Sequence, residues 1–509
     1  MRKSIGLLIC LFAPVLLFGQ QQQPNIVVIM IDDLGWQDLS EPFDHKLSKN
    51  NRIYKTPNIE ALAKGSTKFT NAYATPVCTP SRVSFLTGMN AAHHKVTNWT
   101  SPVRDQPTDV TDSVFERADW NFNGLSPIPN IPNTVFATPF PQLLKDNGYV
   151  TIHVGKAHWG AAGTPGANPY NLGFMVNIAG HAAGHPQSYY GQENYGNIPG
   201  KAGLQAVPDL SEYHQTDTFL TDALTLEAIK TLETPIDRGQ PFFLNLGHYA
   251  VHTPLQADKR FFQYYIDAGL DTKEAAYASL IEGMDKSVGE LVAYLKSKQV
   301  YDNTVVVFLS DNGGLSLPPM RGGEQHTQNL PLRAGKGSVY EGGIRVPLLI
   351  KAGDQRTARK VEEPIAITDF FPTLLHIAGA TLKKDIVQEL DGRNIYPLLS
   401  GRKLKEHVFI WHTPNKWVPQ DGPGINYYSA IRKGDWKLVY AQKTGKIELY
   451  NLEQDIGEQY DVAAEQPAKV DELAGLLSQQ LRHWKAIMPV YKNTGLPAKY
   501  PDEALAKSK

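Results

Sequence analysis

Runs of apolar, mostly β-branched residues recur along the first two thirds of the chain and alternate with segments of helical character. The runs lie at residues 25–31, 149–154, 241–246 and 304–309. They show little polar alternation, which is typical of strands buried on both faces of a parallel sheet. Helical signals lie at residues 56–64, 81–86, 140–147 and 275–298. Strands that alternate with helices predict βαβ units and an α/β fold, a mainly parallel sheet flanked by helices.

The pattern changes after about residue 385. Residues 429–438 and 446–452 predict two strands of an antiparallel hairpin around the turn 443–445, and 470–488 predicts an amphipathic helix. We therefore expect a larger α/β domain over 24–385 and a smaller α+β subdomain over 386–509. Two stretches rich in turn-forming residues, 100–135 and 161–213, predict long surface loops.

The first residues predict a signal peptide over 1–19. Arg2 and Lys3 precede the apolar run 5–18, which is short for a membrane span and contains Pro14. The alternative is an N-terminal membrane anchor. No later segment is long and apolar enough to span a bilayer, so we expect a periplasmic or secreted protein without stable membrane insertion.

Charge and cysteine content narrow the possible functions. The 509 residues include 50 Lys and Arg against 51 Asp and Glu, so there is no basic excess typical of a nucleic-acid partner. Cleavage near Gly19 removes Cys10 and leaves Cys78 as the one thiol of the mature chain. A lone thiol in an exported protein is either reactive or a buried, inert residue.

Two predicted strands end in oxygen-bearing side chains. Asp32 and Asp33 follow the strand 25–31, and Asp311 and Asn312 follow the strand 304–309. Ligands of open α/β sheets lie outside the carboxyl ends of the strands, and carboxylates gathered there require a cation. Calcium suits an all-oxygen cage, with magnesium as the second choice. The alternative is that each acidic group only caps a turn or a helix.

The segment Cys78-Thr79-Pro80-Ser81-Arg82 places a cysteine just ahead of a predicted helix start and an arginine on its first turn. The positive end of a helix dipole favours a reactive, charged group at such a position. The residues alone therefore indicate a reactive side chain near a cationic group.

This segment, followed by Leu86-Thr-Gly88, resembles the C-x-P-S-R…L-T-G motif of the type I sulfatases in the alkaline phosphatase superfamily. The resemblance extends over about 24–385 through a set of further motifs in the same order. They are N-I-V-V-I-M-I-D-D-L-G from Asn25, T-P-N from Thr56, G-K-A-H from Gly155, H-T-P from His252, D-N-G from Asp311, G-K-G from Gly335 and E-G-G-I-R-V-P from Glu341.

The resemblance implies a role for each matching position. Calcium would be held by Asp32, Asp33, Asp311, Asn312 and the modified Cys78. A formylglycine-generating maturation enzyme would oxidise Cys78 to formylglycine, whose hydrate would be the nucleophile, with Asp311 helping to activate it. His158 would be the base that restores the aldehyde. Arg82, Lys156 and Lys336 would stabilise charge on the sulfate, and His252 with Lys336 would protonate the leaving alcohol.

The resemblance also implies a substrate class, since similar exported sulfatases act on polysaccharides, and we expect a sulfated carbohydrate. Aromatic and polar residues of the variable regions are candidates for contacting it: Trp99, Trp120, Tyr189, Tyr190, Trp411, His412 and Trp417. No motif supports His93, His94, His181, His185, His214 or His248, which we expect to be surface residues, with a place in the substrate pocket as the alternative. Ala157 departs from the family, which often has an aromatic residue there.

Two other functions remain open at this stage. A phosphodiesterase or phosphonate monoester hydrolase of the same superfamily can share the formylglycine and the metal ligands. A carbohydrate-binding protein can keep the fold without catalysis. The set of Lys156, His158, His252 and Lys336 favours sulfate esters over phosphodiesters and phosphonates, and the complete set of motifs argues against a binding protein without catalysis.

Overall fold

The computed structural model describes residues 23–200, 203–315, 329–353, 355–380 and 386–506. The predicted signal peptide and Cys10 lie outside these ranges. The described ranges contain fifteen strands: β1 Asn25–Ile31, β2 Thr67–Tyr73, β3 Gly124–Ser126, β4 Thr134–Phe136, β5 Val150–Gly155, β6 Val176–Ile178, β7 Phe242–Gly247, β8 Thr304–Ser310, β9 Arg345–Lys351, β10 Arg359–Val361, β11 Ile365–Ala366, β12 Val408–Thr413, β13 Tyr428–Lys433, β14 Trp436–Ala441 and β15 Ile447–Asn451.

The main sheet has nine strands, eight of them in the order β10-β2-β9-β8-β1-β7-β5-β6, with β11 paired to β2. Parallel pairs join β1 to β7 and β8, and β5 to β6 and β7. The predicted parallel sheet is therefore confirmed around β1. On one side the sheet is mixed, because β9 runs antiparallel to both β2 and β8.

Helices cover both faces of this sheet. The α-helices are α1 Lys49–Ile53, α2 Pro57–Ala63, α3 Cys78–Thr87, α4 Ala91–His94, α5 Phe140–Asp146, α6 Leu220–Asp237, α7 Lys259–Asp267, α8 Thr272–Ser297, α9 Glu341–Ile344, α10 Phe370–Ile377, α11 Tyr396–Leu399, α12 Pro467–His483 and α13 Pro501–Leu505. Val27 and Ile29 of β1 pack in the core cluster that includes residues of α2, α6 and α8, whereas Val28 packs in the cluster with α3, α5 and α10. The unbroken apolar run of β1 thus follows from burial on both faces.

The C-terminal part forms a separate antiparallel sheet in the order β12-β13-β14-β15, covered by α12. The predicted single strand over 429–438 is wrong: β13 ends at Lys433, and Gly434, with φ 59°, and Asp435 turn the chain into β14. The predicted helix also ends early, at His483, because Lys485 takes a left-handed conformation with φ 50°.

The two long irregular stretches are only partly surface loops. The first contains the short pair β3–β4 and the fully buried Phe115, and the second buries Tyr189 and Tyr195. Within the described ranges, none of the helices has both the length and the apolar character needed to cross a membrane.

Candidate active site

The strand ends that carry the acidic residues are neighbours. Ile31 of β1 pairs with Ser310 of β8, so the residues that follow each strand emerge side by side. The backbone N–H of Asp33 donates to Oδ1 of Asp311 at 3.3 Å, and Nδ2 of Asn312 donates to Oδ1 of Asp33 at 2.8 Å. The structure therefore brings together at one buried point the four side chains that the sequence placed at the carboxyl edge of the sheet.

Three cations surround this acidic group. Nζ of Lys156 lies 2.5 Å from Oδ2 of Asp32, and Nζ of Lys336 lies 2.6 Å from Oδ1 of Asp33. Nε of Arg82 donates to Oδ2 of Asp311 at 2.8 Å. All six side chains are nearly or fully buried, so their charges act on one another with little screening by water.

Three oxygen atoms of the group remain unpaired. Oδ1 of Asp32, Oδ2 of Asp33 and Oδ1 of Asn312 are buried and have no hydrogen-bond partner among the described residues. A buried oxygen without a partner lowers the stability of the folded state unless a ligand binds to it. Asp32, Asp33 and His252 also each place a potential ligand atom within 4.8 Å of the others. Carboxylate and amide oxygens match the preference of calcium, so these residues fit the metal that the family resemblance implies.

The carboxylates differ in their pKa values. Burial raises the pKa of Asp32 above its usual range, and although Lys156 opposes this, Asp311 and Asp33 add to it. Burial acts in the same direction on Asp33, but Lys336 and His252 outweigh it and lower the pKa of Asp33. The charge of Asp32 is therefore incompletely compensated by the protein, as expected for a cation ligand.

Cys78 is the first residue of α3. The helix starts three residues earlier than Ser81, the predicted start, so Cys78 lies within the first turn rather than ahead of it. All ten residues of α3 are buried, and burial raises the pKa of the Cys78 thiol despite Lys156 and Lys336 nearby. An unmodified Cys78 is thus a protonated thiol at neutral pH and a poor nucleophile.

His158 faces Cys78. Its Nδ1 lies 3.5 Å from Sγ of Cys78, and its Nε2 lies 2.9 Å from the carbonyl oxygen of Thr100. A carbonyl can only accept, so Nε2 carries the proton and the lone pair of the neutral ring is on Nδ1, toward Cys78. Burial, together with Lys156, lowers the pKa of His158 well below its usual value, which keeps the ring neutral.

Arg82 keeps part of its guanidinium available. Its Nε binds Asp311 and its Nη1 donates to the carbonyl oxygen of Lys156 at 2.9 Å. Nη2 is buried and has no hydrogen-bond partner among the described residues. A buried donor without an acceptor in this position suits a bound anion.

His252 and Lys336 lie at the more accessible end of the cluster, with side chains 14% and 6% exposed. Nδ1 of His252 is 3.0 Å from the carbonyl oxygen of Thr253, so this nitrogen carries a proton, and Nε2 lies 3.6 Å from Oδ2 of Asp33. Although burial lowers the pKa of Lys336, Asp33 raises it above its usual value, and the ammonium stays charged. This end of the cluster is therefore its more solvent-accessible side.

The C-terminal sheet supports this arrangement through a buried ion network. Nζ of Lys437 in β14 lies 2.9 Å from Oε1 of Glu341 and 2.8 Å from Oε1 of Glu458. Glu341 begins α9, and the carbonyl oxygen of Gly343 in α9 accepts the N–H of Gly313 at 3.0 Å. A Cβ on Gly313 would lie 1.8 Å from the carbonyl oxygen of Gly342, so the contact requires glycine. The network thereby fixes the residue that follows Asn312.

The sequence predicted no specific role for several residues at the site. Thr79 and Thr100 hold the ring of His158, and Gly184 lies against its face, where a Cβ would be 2.5 Å from Cε1. The ring of His185 is parallel to that of His252, with centroids 5.6 Å apart and an interplanar angle of 8°. For Gly184 and His185, the only hint was the glycine and histidine content of 161–213.

The aromatic substrate candidates divide into two groups. Trp120, Tyr189, Trp411 and His412 are buried and bonded inside the protein, so their proposed contact with substrate is not supported. Trp99, Tyr190 and Trp417 are only partly buried. Trp417 covers Gly337, where a Cβ would lie 2.1 Å from its ring, so the C-terminal part reaches the residue next to Lys336.

The other unassigned histidines have structural contacts. His93 binds Asp391, His94 binds Ser84, His248 binds Ser287 and His214 packs on Tyr195. The carbonyl oxygen of His181 accepts the N–H of His158 at 3.1 Å, whereas its ring binds the carbonyl oxygen of Ala206.

Comparison with known proteins gives consistent matches. Residues 24–380 match the family model described as Sulfatase, and 335–486 match that of the C-terminal part of N-sulphoglucosamine sulphohydrolase. A sulfatase of Formosa agariphila is 31% identical over 93% of this chain and 92% of its own. Human N-acetylgalactosamine-6-sulfatase is 27% identical over 92% of this chain and 87% of its own. The solved structure of Ps i-CgsB in complex with k-i-k-neocarrahexaose has a TM-score of 0.70 and 29% identity, covering 90% of this chain and 93% of that one.

Proposed function

We propose, from the premise that this chain belongs to the sulfatase family and is a sulfuric ester hydrolase, that it removes sulfate from a sulfated carbohydrate outside the cytoplasm. The observation that carries the proposal is the contact between Nδ1 of His158 and Cys78 at the centre of three cations. It places a base beside the one cysteine of the described residues and surrounds both with charges that suit a sulfate group.

The metal is proposed to be calcium, held by the free oxygens of Asp32, Asp33 and Asn312, with Asp311 and the modified Cys78 completing the set. Its chemistry would be to offset negative charge on the sulfate oxygens and on the carboxylates. Magnesium is the weaker candidate because it prefers to retain several waters.

Cys78 is proposed to be converted to formylglycine by a maturation enzyme. The hydrated aldehyde would supply an oxygen nucleophile, which the protonated thiol cannot. The lone pair on Nδ1 of His158 points at this residue and is placed to take up a proton from it. Thr100 holds the opposite nitrogen of the ring, so the base keeps its orientation.

The remaining residues are proposed to bind the sulfate and the departing alcohol. Nη2 of Arg82, with Lys156 and Lys336, would stabilise charge on the peripheral oxygens. At the accessible end, Lys336 and His252 would protonate the leaving alkoxide. The Nδ1 proton of His252 is held by Thr253, so His252 can give a proton only from Nε2 as an imidazolium. Burial and the charge of Lys336 lower the pKa of His252 well below its usual value and disfavour this form, whereas the ammonium of Lys336 carries a proton already.

A sugar substrate is supported by two observations. The sulfatase-related structure at 29% identity was solved with a neocarrahexaose. In this chain, Trp417 presents a partly exposed indole beside Lys336, and aromatic faces pack well against sugar rings. We therefore propose that the residues around Trp417, which belong to the proposed C-terminal subdomain over 386–509, bind the carbohydrate. They do so beside the active site of the proposed catalytic domain over 24–385.

The proposal predicts sulfate release that depends on Cys78. Protein from a host that carries the maturation system should release sulfate from sulfated oligosaccharides and from 4-nitrophenyl sulfate. Mass spectrometry of the peptide containing Cys78 should show the mass decrease that accompanies replacement of the thiol by an aldehyde. Cys78→Ala should fold normally and release no sulfate.

Two outcomes would favour the alternative functions. Faster hydrolysis of bis(4-nitrophenyl) phosphate or of a phenylphosphonate monoester than of any sulfate ester would identify a phosphodiesterase or phosphonate monoester hydrolase. An unmodified Cys78 in the native host, with carbohydrate binding that survives Cys78→Ala, would identify a noncatalytic binding protein.

A further inference from the structure

His185 lies at the entrance of the candidate active site, although it is distant in sequence from every motif. It follows Gly184, whose missing side chain lets the backbone rest on the ring of His158. Its own ring is parallel to that of His252. Both residues are partly exposed, whereas Cys78 and His158 are buried, so His185 and His252 form part of the rim above the reacting groups.

The hydrogen bonding of His185 leaves one nitrogen available. Nδ1 lies 3.0 Å from the carbonyl oxygen of Pro186, so Nδ1 carries a proton and donates it. Nε2 makes no hydrogen bond with any residue in the described parts of the chain. In the neutral imidazole this nitrogen is an acceptor, and it can bind only a group that donates.

The surrounding segment holds the ring in place. The hydroxyl of Tyr189 donates to the carbonyl oxygens of Tyr249 and His252, at 2.7 and 2.8 Å. These two bonds tie the segment that carries His185 to the loop that carries His252. The segment that carries His185 is therefore held in position, and Nε2 of His185 is oriented before a substrate binds.

We propose that His185 is a specificity-determining residue, whose Nε2 accepts a hydrogen bond from a hydroxyl on the carbon next to the sulfate ester. The inference rests on the proposed function, in which His252 and Lys336 lie at the leaving oxygen. Because the ring of His185 is stacked beside that of His252, it lies next to the carbon adjacent to the one that bears the leaving oxygen. The substrate class is accordingly a sulfate ester of a diol, such as a sugar ring with a free hydroxyl next to the sulfate.

Two chromogenic esters test this directly at a pH low enough to keep the acidic nitrophenol hydroxyl protonated, because 4-nitrocatechol sulfate carries a hydroxyl next to the sulfate and 4-nitrophenyl sulfate does not. The measured quantity is the ratio of kcat/KM for the first ester to that for the second. His185→Ala and His185→Phe should lower this ratio about tenfold, the typical value of one hydrogen bond, and Phe keeps an aromatic ring against His252. His185→Gln should restore part of the ratio because its amide oxygen accepts. His214→Ala, a partly buried histidine that packs on Tyr195, should leave the ratio unchanged.

The outcomes separate this inference from the function on which it rests. If wild-type protein releases sulfate but His185→Ala leaves the ratio unchanged, or lowers both rates equally, His185 does not read the hydroxyl and the inference is wrong. If neither ester is turned over, calorimetry can measure the dissociation constants of the two esters on Cys78→Ala with and without His185→Ala. A ratio of these constants that His185→Ala leaves unchanged would likewise contradict the inference. Failure of wild-type protein to release sulfate from any ester would contradict the proposed function itself.

Discussion

Nε of Arg82 donates a hydrogen bond to Oδ2 of Asp311 at 2.8 Å, and the two side chains are 2% and 0% exposed. The contact joins α3, which begins at Cys78, to the end of β8, which precedes Asn312. The proposed nucleophile and a proposed metal ligand are thus held in register by one buried ion pair.

Replacing Arg82 should separate its two roles. Arg82→Lys keeps a charge near Asp311 but loses the planar donors Nη1 and Nη2, so we expect kcat/KM to fall by about a hundredfold or more. Arg82→Met leaves Asp311 unpaired and should in addition lower the free energy of unfolding by roughly 3–5 kcal/mol. Sulfate-release kinetics and urea denaturation measure the two effects. Full activity of Arg82→Lys would show that Nη2 does not bind the sulfate.

Removing a free oxygen should weaken metal binding. Asn312→Ala deletes an unpaired oxygen, and we expect lower calcium content by mass spectrometry of the dialysed protein and a smaller rise in Tm on adding calcium. A metal present at a hundred times its Kd stabilises the folded state by about 2.7 kcal/mol, so the loss is measurable. Asp258→Asn is the matched control, since Asp258 is equally buried but caps α7. Equal calcium content in Asn312→Ala and wild type would remove Asn312 from the ligands.

The ion network of the C-terminal sheet should affect calcium affinity as well as stability. Lys437→Met leaves Glu341 and Glu458 without their shared cation and loosens the contact of Gly343 with Gly313, so calcium should bind more weakly. Lys351→Met is the control. Lys351 is also buried, but it binds carbonyl oxygens at the end of the main sheet that lies opposite the candidate active site. Both variants should be destabilised. Calorimetric titration with calcium should distinguish them, and equal affinities would show that the network is only structural.

The same network predicts a pH dependence of stability. Burial raises the pKa of Glu458 from the usual 4.5 to about 7, because the charge of Lys437 is shared with Glu341. Between these two pH values the folded state binds more protons than the unfolded state. The stability that protonated Glu458 contributes is therefore fully present below pH 4.5 and is lost as the pH rises through about 7. Wild type should lose about 2 kcal/mol relative to Glu458→Gln between pH 5 and pH 8. Urea midpoints at both pH values give this difference, and parallel pH profiles would contradict it.

Much of the main sheet could be predicted because its strands are buried on both faces. The unbroken apolar run of β1 and the acidic residues at its end are local features, and the rule for carboxyl ends of strands then places Asp32 near Asp311. The turn at Gly434 was missed because β13 and β14 carry similar alternating residues on both sides of it. The pair Gly434-Asp435 is a two-residue hairpin signal that the prediction overlooked.

The remaining site residues depend on long-range packing that no periodicity records. His185 reaches His252 only because an irregular stretch folds back across the sheet. Lys437 and Glu458 would be expected in solvent, since charged residues are rarely buried without partners. Their partner, Glu341, lies 96 residues before Lys437 and is brought to it by the contact between the two sheets.

The complete burial of α3 constrains when Cys78 can be modified. In the folded chain, Cys78 is 3% exposed and every residue from Cys78 to Thr87 is buried. A modifying enzyme therefore cannot bind this segment unless the surrounding core unfolds. The proposed conversion of Cys78 to formylglycine would therefore have to take place while the segment is still extended, before the sheet and its helices assemble. Folding would then compete in time with the proposed maturation, and a chain that folded first would be excluded from activation, however stable it is.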